Sequence, residues 1–284
     1  MKTSLRYGAL ICAFFSFFTW RAAVLAKTFG VALCVGGFFI LLPSAFPQGS
    51  LTPPPGPPAP TMKTLTQIDT HIASAGEKRI DVLTLAGDTS NQFIIDNPGS
   101  YYLSANINGV GGKHGVSIRA NGVTVDLNGF SIIGPGGGAN AGISVPNAQG
   151  SLAVRNGTVR NYSSGIDAGL ANDSQFDHLR LNNNSFVGLA IGDRSLVTDC
   201  VVNQGFTGVH VTSGADGCIV RDCVVDSNSG YGINDEGIGS LITNCIARGN
   251  LWGIRGAGAR VTIVGCNAIG NDEVGIYLGA GGAY

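Results

Sequence analysis

The chain has 284 residues, of which 44 are glycine and only 12% are charged, and its formal net charge at pH 7 is −1. Four of its 17 basic residues lie in residues 1–48, which hold no acidic residue, so the remainder carries 13 basic against 18 acidic residues, a net charge of −5. This balance excludes the basic surface that nucleic-acid binding needs, and we expect no nucleic-acid partner.

Residues 1–48 have the composition of an export signal. Two apolar runs, residues 8–20 and 29–46, follow basic residues, and neither reaches the ~20 residues of a comfortable membrane span. The second run precedes small residues near Ala45 and predicts a cleaved signal peptide, with an uncleaved N-terminal membrane anchor as the alternative. Either way the rest of the chain is predicted to be secreted or periplasmic, with membrane contact only through this segment.

Two short segments connect the leader to the main domain. Residues 49–61, GSLTPPPGPPAPT, predict an extended Pro-rich linker. Residues 62–75 carry Leu65, Ile68 and Ile72 at helical spacing before Gly76, which predicts a short helix that caps the domain. We assign residues 62–114 to this cap and the first strands.

From Gly188 onwards the sequence repeats every twenty-odd residues. Each repeat begins with Gly and an aliphatic residue, and Cys200, Cys223, Cys245 and Cys266 recur at spacings of 23, 22 and 21. The apolar pieces between turn residues are too short for helices, and repeats of this length are typical of solenoids. The pattern predicts an all-β fold, a single-stranded parallel β-helix of about seven rungs over residues 115–284.

Stacked rungs place equivalent residues in columns. Leu179 and Gly157 occupy the cysteine position in earlier repeats, so this column needs interior volume and not a thiol. We expect buried free thiols, with a Cys200–Cys223 or Cys245–Cys266 disulfide as the alternative. Five asparagines before the rung starts predict a second column, a structural ladder at one corner: Asn161, Asn184, Asn228, Asn250 and Asn271.

Several segments in roughly residues 80–284 are similar to those of a known family. They are DLNGFSIIG, VRNGTVRNYSSGIDAG, LVTDCVVNQGFTGV and the Gly-Ile/Val rung starts. The chain resembles secreted bacterial right-handed parallel β-helix proteins of the pectin-lyase-like superfamily, close to the NosD-type repeat class. The resemblance implies a right-handed coil. Enzymes of this superfamily act on acidic polysaccharides. The resemblance implies that a catalytic site, if present, would hold either calcium beside an arginine base or a pair of carboxylates.

Candidate catalytic residues lie at the outer position before the cysteine column. Asp199 and Asp222 are predicted on adjacent rungs beside Arg221, although Asn244 and Gly265 continue that column and the motifs of the superfamily's enzymes are missing. Asp235-Glu236 and Asp272-Glu273 are candidate calcium ligands. Solvated turns and faces are the favoured interpretation of both sets, and we expect no cofactor unless calcium binds there.

The remaining polar and aromatic candidates are scattered. The histidines, His71, His114, His178 and His210, lack metal-ligand spacing. Five aromatic residues could stack on sugar rings or, as we prefer, pack over neighbouring turns. They are Tyr101, Tyr102, Phe206, Tyr231 and Trp252.

Three functions fit this sequence. The first is a non-catalytic extracytoplasmic scaffold that presents a surface to carbohydrate or a cell-envelope component. The second is a polysaccharide lyase or glycoside hydrolase with a groove near Asp199, Asp222 and Arg221. The third is a fragment of a larger surface adhesin or assembly.

Overall fold

The computed structural model describes residues 79–138 and 140–279, which contain 24 β-strands and one 3-10 helix, Val82–Thr84. The predicted leader, linker and capping helix lie outside these residues. Within the described residues no helix is long and apolar enough to cross a membrane. The strands form two parallel sheets.

Sheet A has 15 strands. Its strands are β1 (Ile80–Asp81), β3 (Gly99–Tyr102), β4 (Ile107–Asn108), β6 (Val123–Asp126), β7 (Ser131–Ile133), β9 (Ala153–Arg160), β11 (Gln175–Asn182), β13 (Leu196–Thr198), β14 (Val201–Asn203), β16 (Ile219–Arg221), β17 (Val224–Asp226), β19 (Leu241–Thr243), β20 (Ile246–Arg248), β22 (Thr262–Val264) and β23 (Asn267–Ile269).

Sheet B has nine strands. They are β2 (Asn91–Ile95), β5 (His114–Ile118), β8 (Ala141–Ser144), β10 (Ser164–Ala168), β12 (Val187–Ile191), β15 (Thr207–Val211), β18 (Tyr231–Asp235), β21 (Trp252–Gly256) and β24 (Val274–Leu278). Each strand between β2 and β24 pairs in parallel with the sheet B strands one turn before and one turn after it, so the described residues form a parallel β-solenoid as the repeat predicts.

One turn contains a sheet B strand followed by two sheet A strands. In β9 and β11 these two run together as one eight-residue strand, and in later turns two residues separate them. The described residues form about nine turns and not the seven we expected, because β2 already pairs with β5 and β3 with β6 in the register of the later turns. The coil therefore begins before Gly115.

Interior side chains stack in the predicted columns. Val197 pairs with Phe176 before it and Val220 after it, and all three are buried. Leu179 and Gly157 are register partners and precede Cys200 in the thiol column. All five cysteines of the described residues are free. The column is filled for volume, since a Cβ on Gly157 would collide with Leu127.

The corners use left-handed backbone. In seven successive turns, one residue with a φ between 51° and 65° makes the bend between the two sheet A strands, and we call these residues the bend column: Asn128, Asn156, His178, Asp199, Asp222, Asn244 and Gly265. The bend has four residues between β6 and β7 and two residues from β13 onwards. The segment from sheet B to sheet A varies more in length. It has eight residues after Ser144 and only four after Ile191.

An asparagine ladder lines the corner between sheet A and sheet B. Asn250 donates its amide to the Asn271 Oδ1 atom at 3.1 Å, and its own Oδ1 atom accepts from Asn228 Nδ2 at 2.9 Å. The assignment of Asn161 to this ladder was wrong, because Tyr162 takes the ladder position in that turn. Asn161 makes the left-handed corner one residue earlier, with a φ of 63°.

A glycine at the second position of most sheet B strands lies against the ladder. A Cβ on Gly208 would come within 2.5 Å of the Gly232 carbonyl oxygen and 3.0 Å of the Asn228 amide nitrogen. The Gly-aliphatic rung starts therefore reflect the lack of space between the ladder and the next strand.

Candidate functional site

The bend column holds the predicted catalytic carboxylates. Its residues have left-handed backbone, with φ of 51° at Asp199 and 55° at Asp222. Asp, Asn and Gly accept this conformation more readily than other residues, since their side chains are short or missing. The backbone thus accounts for the acidic and amide residues of this column without any catalytic role.

The surroundings of Asp199 and Asp222 are ordinary surface contacts. Asp199 Oδ2 accepts from Thr198 Oγ1 at 3.2 Å, and Asp222 Oδ1 accepts from Asn244 Nδ2 at 3.3 Å. Arg221 is the exposed last residue of β16.

A shallow groove of about 300 Å³ runs beside the bend column. Its lining includes His178, Arg180 and Asp199, and excludes Arg221 and Asp222, which lie one turn further on. His178 Nδ1 lies 3.1 Å from Asp177 Oδ2. Over the described stretches of the chain, no three His, Cys, Asp or Glu side chains converge closely enough to hold a metal ion.

The four candidate calcium ligands divide into two separate pairs. Asp235 ends β18 and pairs in register with Gly256, whereas Glu273 immediately precedes Val274, which pairs with Trp252 at the other end of β21. At about 3.3 Å per residue, the pairs are roughly 13 Å apart along the strands. The structure does not bring all four together.

Asp235 faces the interior and is fully buried. Its Oδ1 atom accepts from the Gly237 amide at 2.8 Å and from Ser240 Oγ at 3.2 Å, while Oδ2 has no partner. Burial raises the pKa of Asp235, and these hydrogen bonds offset part of that effect. The carboxyl organises the turn after β18 from inside the solenoid.

Above Asp235, the outer surface of sheet B carries a polar network of four side chains from three successive turns: His210, Asn234, Glu236 and Arg255. Arg255 Nη1 donates to Asn234 Oδ1 at 2.7 Å and to Glu236 Oε1 at 3.1 Å. His210 Nε2 lies 3.5 Å from Glu236 Oε2. Burial acts to raise the pKa of Glu236, but the contacts with Asn234, Arg255 and His210 outweigh it and hold the pKa below its usual range.

An aromatic row runs beside this network across five turns: Phe186, Phe206, Tyr231, Trp252 and Tyr277. Successive ring centroids are 6.5, 6.2, 5.9 and 5.5 Å apart. The Phe186 and Phe206 rings are parallel and the later pairs meet edge to face. Phe186 is 58% exposed and Tyr277 42%, so the rings form a continuous apolar strip at the surface.

The aromatic row contacts the polar network at Arg255, whose guanidinium lies over the Tyr231 ring, 5.5 Å from its centroid. The row also contacts a carboxylate outside the network, since Trp252 Nε1 donates to Glu273 Oε2 at 2.7 Å. Aromatic surface next to fixed hydrogen-bonding groups is the combination found in sites for polar organic ligands.

The sequence identified part of this surface. Phe206, Tyr231 and Trp252 lie in the row, whereas Tyr101 is a buried core residue and Tyr102 packs under Arg79 near the start of the coil. Phe186, Tyr277 and the network around His210 were not predicted from the sequence. The register of the Gly-aliphatic starts could have shown that Tyr277 continues the column of Asn234 and Arg255.

Cys223 and Cys218 are not reactive thiols. Contact with Cys200 acts first to raise the pKa of Cys223, which together with burial brings it to about 12. Burial raises the pKa of Cys218 to about 11. Thiols this weakly acidic remain protonated and unreactive at neutral pH.

The fold and these surfaces define a single-chain parallel β-solenoid with one elongated outer face rich in aromatic residues. The sequence model for the family described as the right-handed beta helix region matches residues 141–284, just over half of the chain, and the protein belongs to that family. No curated protein matches the sequence.

Proposed function

We propose that this protein is a non-catalytic extracytoplasmic β-helix scaffold of the pectin-lyase-like type, whose sheet B face binds an extended carbohydrate chain. The observation that carries the proposal is the aromatic row, five neighbouring rings over five turns, with Phe206 43% exposed and Tyr277 42% exposed. The export-like composition of residues 1–48 supports the location.

The geometry suits a ligand that lies along the solenoid axis. Successive turns rise by about 4.8 Å, close to the length of one sugar residue in an extended chain. Aromatic rings pack against the apolar faces of sugars, and the polar network offers both donors and acceptors to their hydroxyls. His210 and Arg255 lie in one outward column and both side chains are partly exposed, so a chain along the axis would meet both.

A glycan array probed with the purified protein tests this proposal. We expect binding to at least one polysaccharide, and we expect Trp252→Ala to weaken it about fivefold, the effect of losing about 1 kcal/mol of aromatic contact. Ile246→Ala, at an exposed residue of sheet A, is the control and should bind as wild type. No binding to any glycan, or an unaffected Trp252→Ala, would rule the proposal out.

The groove beside the bend column favours one alternative, a polysaccharide lyase or hydrolase. Its lining places His178, Arg180 and Asp199 together. The test is formation of unsaturated uronate from polygalacturonate or alginate, with calcium and with chelator, together with a reducing-sugar assay. Asp199→Asn with Asp222→Asn keeps residues that accept left-handed backbone. Turnover by wild type that this double variant loses would establish catalysis there and overturn the non-catalytic proposal.

A further inference from the structure

From β10 to β24, the outer face of sheet B and the residues that flank its strands carry more negative than positive charge. Within two residues of these strands the carboxylates outside the core are Asp167, Asp193, Glu236, Asp272 and Glu273. Arg255 is the one Lys or Arg within the same limits. A bound polymer with a carboxylate on every residue would bring further negative charge alongside this face.

Arg255 is already paired with a carboxylate of the protein. Its Nη1 atom donates to Asn234 and to Glu236, and its guanidinium is held over the Tyr231 ring. Its side chain is only 26% exposed. A ligand carboxylate that bound the remaining guanidinium N–H groups would lie close to the Glu236 carboxylate, and the two like charges would repel each other.

The uncharged hydroxyl groups of a neutral glycan are not repelled by these carboxylates. The Glu236 and Glu273 carboxylates accept hydrogen bonds from hydroxyls, and these charge-assisted hydrogen bonds are stronger than neutral ones. The guanidinium N–H groups of Arg255 other than those on Nη1 can donate. The aromatic row contributes contacts that do not depend on ligand charge.

We infer that the sheet B face selects an uncharged glycan over a polyuronate of the same backbone. This inference rests on the binding function proposed above and adds the substrate class. The selectivity follows from the excess of carboxylates from β10 to β24 and from Glu236, which already neutralises the one guanidinium of these strands.

Matched pairs of polymers test the selectivity at about pH 8, where an ordinary histidine is uncharged. The pairs are a β-linked glucan and the same glucan oxidised at its primary hydroxyls, a β-linked mannan and polymannuronate, and methyl-esterified and free polygalacturonan. In every pair that binds, we expect the neutral member to bind at least about threefold more tightly at low salt. The difference should narrow at high salt, since salt screens exposed charges.

A charge-reversal variant isolates the electrostatic cause. Asp272→Lys should raise the affinity for the charged member of a pair about threefold and leave the neutral member unchanged, because Asp272 is exposed beside the row. Asp96→Lys, a matched change at an exposed residue after β2 and beyond the row, should alter neither. Equal or tighter binding of the charged members by wild type would overturn the selectivity while leaving carbohydrate binding intact. Binding to no polymer of either kind would contradict both the selectivity and the proposed carbohydrate binding.

Discussion

The bend of sheet A and the outer face of sheet B present residues to solvent in columns, but the two columns are set by different constraints. In the bend column, His178, Asp199 and Asn244 share a left-handed backbone, and the residue types follow from it. On sheet B, His210 and Arg255 occupy equivalent positions of extended strands, and extended backbone does not restrict the residue type in this way. A column restricted to a few residue types therefore reflects the needs of the scaffold. A column of varied residue types on extended backbone is the surface available for function.

Two phenylalanines give the largest expected contrast between these regions. Phe176 of sheet A is completely buried, so Phe176→Ala should lower the free energy of unfolding by about 4 kcal/mol. Phe186 begins the aromatic row and is 58% exposed, so Phe186→Ala should change stability by no more than about 0.5 kcal/mol. Urea unfolding measures both. Equal costs would mean that Phe186 belongs to the packing of the scaffold.

The ladder between the two sheets gives the next largest effect. Asn250 is fully buried, and its side chain bonds the Val225 carbonyl and the Asn228 and Asn271 amides. Asn250→Ala leaves these buried groups without partners and should cost about 3 kcal/mol in urea unfolding. Asn267→Ala, at the exposed start of β23, is the matched control and should cost almost nothing. A similar cost at both sites would refute the ladder's role.

Valine substitution at Asp199 and at His210 tests whether the backbone conformation restricts the residue type at each position. Asp199→Val should destabilise the fold by about 1 to 2 kcal/mol, because a β-branched residue is strained in left-handed backbone, whereas Asp199→Asn should be neutral. His210→Val on sheet B should also be near neutral, since extended backbone favours valine. Thermal or urea unfolding of the three variants suffices. If Asp199→Val were harmless, the bend column would have to be explained by chemistry.

The smallest expected effect is the pH dependence caused by Asp235 beneath the sheet B face. Burial raises its pKa above the ordinary 3.8, so the folded protein binds this proton more tightly than the unfolded chain does. Its contribution to stability is therefore present below about pH 4 and is lost as the pH rises through the folded-state pKa. Asp235→Asn removes this pH-dependent loss of stability, because the asparagine side chain does not ionise. Relative to wild type, the variant should become progressively more stable as the pH rises above about pH 4.

Glu236 has the opposite sign, because its lowered pKa adds stability as the pH rises. Comparison of wild type with Asp235→Asn cancels that contribution, provided that the polar network is unchanged. Urea midpoints at a series of pH values give the difference. A difference that stays constant with pH would show that Asp235 titrates normally in the folded protein.

The fold was predictable because each turn must repeat the interior volumes of its neighbours. The spacing of Cys200, Cys223 and Cys245 established the columns, which the structure confirms. The first turns were missed because β2 to β4 carry neither the cysteines nor the glycine starts that identified the later repeats. Asn161 was misplaced by one residue because Tyr162 substitutes for asparagine in the ladder of that turn.

The candidate site was less predictable for a geometric reason. A column in sequence shows which residues recur, but it does not reveal the backbone conformation that selected Asp199 and Asp222. The aromatic row crosses sheet B obliquely, from Phe186 before β12 to Tyr277 near the end of β24. Only the three-dimensional register shows that rings at different strand positions touch.

The short bend within sheet A and the variable segment between sheet B and sheet A have a consequence for design. Changes in length collect mainly where the sheet B strands end: eight residues follow Ser144 and four follow Ile191, without altering the strand register on either side. Phe186 and Trp252 lie at the opposite ends of their strands. Foreign loops grafted after the sheet B strands would therefore border the sheet B face at a chosen length, with the rungs beneath them unchanged.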